Sequence, residues 1–227
     1  MSYKYGPSIV TDGLVFYVDA ANSKSYPGTG TTWSDLVGSN DGTLTNGPTY
    51  SSANAGSIVF DGADDWSSHS SVSTAWPVTM SCWVKLDNFV NQPTFMAQSD
   101  VSVNNQFFGF GHISDSGNEI LRIYNYRTSY YDARGTTVIS TGQWYHVTAV
   151  FESDTSKKLY LNGVLEATLT TNTAFPTGID TMSISSFQRT SPGGYLDGNI
   201  ACAMVHNKAL STDEIIQNYN ALKNRFV

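Results

Sequence analysis

Apolar residues recur at every second position in several short segments of this chain. The clearest is 78–86, in which Val78, Met80, Cys82 and Val84 would share one face. A period of two is typical of a half-buried β-strand, with one face on a core and the other toward solvent. Similar apolar or alternating runs predict further strands at residues 13–19, 57–60, 107–113, 120–126, 144–152, 182–187 and 200–206.

Turn residues separate these segments. Asn162 and Gly163 divide residues 157–161 from 164–169, and this pair favours the type I′ turn of a tight hairpin. Residues 20–48 are rich in Gly, Ser, Thr and Asn, so we expect a long loop there, interrupted by short strands.

One helix is predicted near the C-terminus. Ser211 and Glu214 have the spacing of a capping box, which satisfies free backbone N–H groups at a helix start. Ile215, Tyr219 and Leu222 then follow on one face at helical spacing. Many short strands and one late helix indicate an all-β sandwich, and we expect residues 1–227 to form a single domain.

The composition indicates a folded chain and argues against some classes of binding partner. Of 227 residues, 40% are hydrophobic, enough to build a core without disulfides or metals. The net charge is −7 and only 12 residues are Lys or Arg, so nucleic acid and anionic membrane surfaces are not expected partners. No apolar stretch is long enough for membrane insertion, and residues 1–7 lack the apolar core of a secretory signal.

The two cysteines, Cys82 and Cys202, each lie in an apolar, strand-like run. Buried free thiols acting as small hydrophobic groups are the first interpretation, and a disulfide closing a long loop is the second. Neither cysteine has a second Cys or a His at the spacing of a metal site, so we expect no metal or catalytic role for them.

Several segments together resemble the laminin G-like domains of phage proteins. In family order they are residues 14–22, 60–66, 79–85, 144–151 followed by 158–163, and 197–200 followed by 209–215. The resemblance implies a concanavalin A-like jelly-roll of two antiparallel sheets, one flat and one concave. This superfamily includes lectins, adhesion modules, virion proteins and polysaccharide-cleaving enzymes, so the fold alone does not fix the function.

The resemblance to phage proteins implies a non-catalytic virion protein: a tail, fibre or capsid-decorating subunit. Such a protein would be made in the host cytoplasm, reside in the virion, and bind other virion proteins or a cell-surface glycan. It could also form a homo-oligomer. A free-standing lectin and a glucanase or lyase of the same fold are the alternatives.

Catalysis is not expected. Glycoside hydrolysis needs two carboxylates at the scissile bond, and glucanases of this superfamily carry them as E-x-D-x-E on one strand. The nearest match is Glu152-Ser153-Asp154, which lacks the second Glu and lies at a predicted strand end.

Three aspartates form the densest acidic group. Asp61, Asp64 and Asp65 surround a predicted Asp-Gly turn, where aspartate side chains ordinarily bond to nearby backbone N–H groups. Calcium also takes carboxylate ligands, and laminin G-like relatives hold calcium, so a calcium site is the second interpretation.

The candidate ligand-binding residues are aromatic and basic. By strand alternation, Arg122, Tyr124 and Tyr126 should face away from the core, onto the concave sheet. Arg127 belongs to the same stretch and is a further candidate. We expect Tyr130, Tyr131 and Arg134 to line an adjoining loop, and Trp66 and Trp76 to join them from turns. Such rings and donors suit a glycan. They equally suit a protein interface, or they simply cover a sheet face.

Overall fold

The computed structural model describes residues 7–90 and 92–226. Most of residues 1–7, whose composition argued against a secretory signal, therefore lies outside the described residues. The first eight strands are β1 Leu14–Asp19, β2 Thr32–Trp33, β3 Gly42–Thr45, β4 Thr49–Ser51, β5 Ser57–Asp61, β6 Trp66–Ser70, β7 Val78–Leu86 and β8 Thr94–Ser99. The next eight are β9 Phe107–Asp115, β10 Asn118–Tyr126, β11 Tyr130–Arg134, β12 Trp144–Ser153, β13 Ser156–Leu161, β14 Val164–Leu169, β15 Thr181–Ile184 and β16 Asp197–His206. The helix α1 spans Thr212–Leu222.

The strands form two antiparallel sheets, as the resemblance implied, and each sheet has eight strands. The first sheet has the order β14-β13-β12-β7-β16-β5-β4, and β1 pairs with the second half of β16. The second sheet has the order β11-β10-β9-β8-β15-β6-β3-β2. Phe16, Phe60 and Phe151 from the first sheet meet Phe108 and Ile123 from the second in one core cluster between the sheets.

The outer face of the first sheet is also covered. Strand β7 places its even-numbered residues in the core, but Trp83 on its other face stacks on Tyr219 of the helix and on Phe226. The prediction of a half-buried strand at 78–86 was therefore wrong, because the helix shields the face that alternation assigned to solvent. Cys82 and Cys202 are both buried and unbonded, which confirms the free-thiol interpretation.

The turn and capping motifs fold as predicted. Asn162 and Gly163 have φ angles of 51° and 86°, as the β13–β14 hairpin requires. The hydroxyl of Ser211 accepts the Glu214 N–H, and the Glu214 carboxylate accepts the Ser211 N–H, so the capping box is complete.

Four strands lay outside the predictions: β4, β6, β8 and β11. Their sequences carry few apolar positions at period two; β6, for example, reads Trp-Ser-Ser-His-Ser. Strand β11 replaces the loop expected at Tyr130 to Arg134, because its backbone pairs with β10 at the sheet edge.

The segment after the helix is tied back to the first strand. Arg225 Nη1 lies 3.0 Å from both carboxylate oxygens of Asp19, and Tyr17 donates its hydroxyl to the same carboxylate. This ion pair is largely buried. No helix in the described part of the chain combines the length and hydropathy needed to cross a membrane.

All four histidines of the chain are buried. Burial lowers the pKa of His146 to about 3 and that of His69 to about 4, and it lowers the pKa values of His112 and His206 as well. His146 lies beside Trp83 and Tyr219, and neither ring nitrogen has a hydrogen-bond partner among the described residues. The folded protein therefore holds these rings neutral.

We expect acid to destabilise the fold through these histidines. When the pKa of a histidine is lower in the folded state, the histidine does not affect the free energy of unfolding well above pH 6.5, because it is neutral in both states. Below pH 6.5 the unfolded chain binds a proton on this histidine and the folded protein does not, so the unfolded state is favoured. The free energy of unfolding should fall by up to about 1.4 kcal/mol per pH unit for each such histidine.

The His146→Phe variant isolates one of these contributions. Between pH 7.5 and 5.5, its loss of unfolding free energy should be smaller than that of the wild type by about 1.4 kcal/mol. Urea denaturation at both pH values measures this difference. An identical loss in both proteins would contradict the account.

Candidate functional site

The outer face of the second sheet carries a row of aromatic side chains beside two glycines. Tyr126 pairs with Phe107 on β9 and with Tyr130 on β11, so the three rings share one face. Two residues along β10, Tyr124 pairs with Gly109. The intervening residue Ile123 belongs to the core, which confirms the alternation predicted for this strand.

Gly109 provides the space in which the Tyr124 ring lies. A Cβ at this position would come within 2.5 Å of the Met96 carbonyl oxygen and 2.8 Å of Tyr124 Oη. The Tyr124 ring can therefore extend across β9, where its Oη lies 2.7 Å from Thr94 Oγ1 on β8. Gly111, the next glycine on this face, is equally restricted by the Pro93 carbonyl oxygen at 2.1 Å.

Tyr124 is thus buried rather than exposed on this face, with only 1% of its surface accessible. Tyr130 stacks over it at 6.1 Å between ring centroids, and the Arg122 guanidinium lies 5.3 Å from its centroid. Burial raises the pKa of Tyr124, while the hydrogen bond with Thr94 and the charges of Arg122 and Arg189 act in the opposite direction.

The 185–196 loop completes the walls. Phe187 stacks on Phe107 at 5.5 Å, with an interplanar angle of 9°, and exchanges two backbone hydrogen bonds with Gly193. Arg189 places its guanidinium 4.6 Å from the Phe187 centroid and is held there by donating to the carbonyls of Ser191 and Asn104.

These side chains enclose a cavity of about 250 Å³, here called the aromatic pocket. Its lining residues are Phe107, Arg122, Tyr124, Tyr126, Tyr130, Phe187 and Arg189. Four of the seven were candidates from sequence alone. Phe107, Phe187 and Arg189 were missed, although Phe107-Phe108-Gly109-Phe110-Gly111 shows the two-residue period of glycines that marks the hollow.

Several of the predicted ligand-binding residues lie elsewhere, among them Arg134, which forms ion pairs with Asp115 and Asp132. Arg127 follows the end of β10 and does not line the pocket, although its carbonyl accepts a hydrogen bond from Gln106. Tyr131 pairs with Asn125, so it points to the opposite face of β11 from Tyr130. Trp66 begins β6, several strands away in the same sheet.

Trp66 lines a second hollow of about 340 Å³, with Thr43, Ser68, Ser70, Asp180 and Thr181 among its neighbours. Trp76, also considered from sequence, packs between Phe108 and Phe151 and donates its indole N–H to Asp154. It supports the core rather than either hollow.

The three aspartates do come together. Their carboxylates lie within 4.8 Å of one another. Asp61 accepts the Ala63 N–H, and Asp65 accepts the Asp61 N–H, so the turn role is observed directly. Burial and the neighbouring charges of Asp61 and Asp64 raise the pKa of Asp65. A cation would offset this repulsion, and calcium binding stays a prediction.

The acidic pair considered for catalysis lies at the β12–β13 hairpin. Glu152 forms an ion pair with Lys158 at 2.8 Å and accepts the Ser156 hydroxyl. Asp154 accepts the Trp76 indole N–H. Both carboxylates therefore have partners, and neither lines the aromatic pocket.

Comparisons with known proteins identify the family of this chain and solved structures that share its fold. The family model described as Concanavalin A-like lectin/glucanases superfamily, of laminin G type, matches residues 60–216. No curated protein matches the chain significantly.

Solved structures share the fold at low sequence identity. Domain 4 of AbnA, a GH43 extracellular arabinanase from Geobacillus stearothermophilus in complex with arabinotriose, aligns with a TM-score of 0.72 and 17% identity over 91% of this chain and 98% of that one. Trypanosoma rangeli sialidase in complex with sialic acid aligns with a TM-score of 0.69 and 14% identity over 96% of this chain. The binding domain of botulinum neurotoxin DC in complex with SialylT gives 0.68 and 15% over 93%. This chain spans only 34% of the sialidase and 52% of the toxin domain.

Replacing Gly109 by alanine should damage the aromatic pocket. The added methyl group would collide with the Met96 carbonyl and with Tyr124, so we expect a loss of about 1–3 kcal/mol in unfolding free energy. Gly193→Ala is the control, because its methyl group would meet only Phe187, at 3.5 Å. Equal stability of the two variants in urea denaturation would argue against the close approach.

Proposed function

Because this chain belongs to the concanavalin A-like lectin/glucanase superfamily, we propose that it is a non-catalytic carbohydrate-binding protein that holds sugar in the aromatic pocket. One observation carries the proposal. The outer face of the second sheet forms a hollow lined by five aromatic rings and two guanidinium groups. Solved structures of the same fold include an arabinanase domain in complex with arabinotriose and a sialidase in complex with sialic acid.

The chemistry of the lining suits a sugar. A pyranose or furanose ring has apolar C–H faces edged by hydroxyls, so aromatic rings can cover a face while polar groups bond the edge. Tyr126 and Tyr130 supply rings with hydroxyl groups, and Arg122 and Arg189 supply N–H donors. Small-molecule pockets usually measure about 300–1,000 Å³, so a cavity of about 250 Å³ suits one sugar residue rather than a protein segment.

The same lining argues against hydrolysis. Cleavage of a glycosidic bond generally uses two carboxylates on opposite sides of the bond. No Asp or Glu lines the aromatic pocket in the part of the chain that the structure describes. Glu152 and Asp154 are bound to Lys158 and Trp76 respectively.

Because the sequence resembles phage proteins, we further propose where this protein acts. In that setting the chain is a virion subunit, in a tail, a fibre or the capsid decoration, where it binds a host-surface glycan or neighbouring virion proteins. A lectin acting outside any particle is the alternative, and the aromatic pocket would serve it equally well.

Glycan binding should depend on the exposed rings of the pocket. On a glycan array, we expect the purified protein to bind a defined set of sugars, and Tyr126→Ala and Tyr130→Ala to weaken that binding at least about tenfold. Trp66→Ala, in the separate hollow, is the matched control and should bind normally.

Absence of any glycan binding would overturn the proposal. So would release of new reducing ends from the bound polysaccharides, because turnover would make the protein an enzyme. Unchanged binding by both tyrosine variants would move the site away from the aromatic pocket.

A separate experiment tests whether the protein is a virion subunit. Mass spectrometry of particles purified by density gradient from a producing culture should find this chain at a fixed ratio to the major capsid or tail protein. Recovery of the chain only in the particle-free fraction would favour the free lectin.

A further inference from the structure

The aromatic pocket has a local charge opposite to that of the protein as a whole. The chain carries a net charge of −7, yet two of its five arginines line this one hollow. The described part of the chain places no carboxylate within 4.0 Å of Arg122 or Arg189, whereas Arg134 and Arg225 both form ion pairs. Two uncompensated guanidinium groups in one small pocket need an explanation.

Arg122 keeps unused hydrogen-bonding capacity. Its Nη1 donates to Tyr130 Oη at 3.1 Å and its Nη2 to the Gln92 carbonyl at 3.4 Å. Its Nε is buried and has no partner among the described residues. A guanidinium offers five N–H donors in a rigid plane, so one N–H on each of Nη1 and Nη2 remains for a ligand.

Arg189 is similarly placed on the other wall. Its Nε and Nη1 donate to the carbonyls of Ser191 and Asn104, and these neutral acceptors leave its charge uncompensated. Its guanidinium also lies against Phe187 and Phe107, at 4.6 and 5.5 Å from the ring centroids. The backbone bonds and stacking fix its orientation before any ligand arrives.

The acidic side chain of Asp132 on this face is already paired with another arginine. Asp132 pairs with Tyr124 across β10 and β11, but its carboxylate is 3.0 Å from Arg134 Nε. Arg134 also binds Asp115 at 3.0 Å, so these three residues form their own ion network beside the pocket.

We propose that the aromatic pocket selects glycans that carry a carboxylate, with the sugar ring against Tyr126 and Tyr130 and the acid group between Arg122 and Arg189. This inference rests on the proposed function and specifies its ligand class. A planar carboxylate matches the fork of a guanidinium, and such charge-assisted bonds are about twice as strong as neutral ones. A neutral sugar would leave both charges without a counterion.

Matched ligands test the charge directly. Oligogalacturonate and its carboxyl-reduced form differ only in the acid group, and sialyllactose and lactose form a second pair. By isothermal titration at low salt, we expect an acidic member to bind at least about tenfold more tightly than its neutral partner. Raising the ionic strength should narrow this difference, because salt screens charge pairs. A sulfated oligosaccharide is included because guanidinium groups also pair with sulfate.

Arginine variants locate the effect. Arg122→Gln and Arg189→Gln should each lose most of the preference for the acid, while Tyr-dependent binding of the neutral partner persists. Arg127→Gln is the matched control, since it removes the same charge from the end of β10 but lies outside the pocket lining. Thermal melting verifies that each variant is folded, and Arg122→Lys, which keeps the charge without the fork, should retain part of the preference.

The outcomes separate this inference from the proposed function. Equal binding of acidic and neutral partners, or an acid preference that survives both glutamine variants, would overturn carboxylate selection while leaving sugar binding intact. Binding confined to the sulfated ligand would overturn it too. If none of these ligands binds and the glycan array is also blank, both proposals fail together.

Discussion

The register between β9 and β10 is the constraint on which the rest of the site depends. It places Gly109 beside Tyr124 and Phe107 beside Tyr126, with Phe108 and Ile123 directed into the core. Because side chains alternate with a period of two, a slip of one residue would exchange the core and pocket faces of a strand. The apolar residues that bury themselves between the sheets therefore also fix where the polar aromatic residues stand. Stability and the geometry of the site are set by the same pairing.

Much of this arrangement could be predicted from the sequence because it is local. Alternation in β10, the Asn162-Gly163 turn and the Ser211 capping box each act within a few residues, and each folds as its pattern indicates. The same local rule placed Arg122, Tyr124 and Tyr126 on the outer face of one strand. Such local patterns could not predict which residues of other strands would line a pocket together with these three.

The unpredicted parts depend on contacts between distant segments. Phe187 and Arg189 reach the pocket because the 185–196 loop folds back over the second sheet, where Asn104 from another loop holds Arg189. Tyr131 was grouped with Tyr130 on composition, but the pairing of β11 with β10 turns the two side chains to opposite faces. The covered face of β7 was missed for a similar reason, because Tyr219 and Phe226 reach Trp83 from more than a hundred residues away.

The outer faces of the two sheets differ: the helix covers part of the first, and the aromatic pocket lies on the second. On the first sheet, the helix packs Tyr219 against Trp83, and the Arg225–Asp19 ion pair fastens the segment that follows. On the second sheet, the pocket stays open. A support that grips the molecule by its helical side would leave the hollow pointing away from it, unobstructed. Because the helix packs on the first sheet, the aromatic pocket remains accessible from the opposite side of the sandwich.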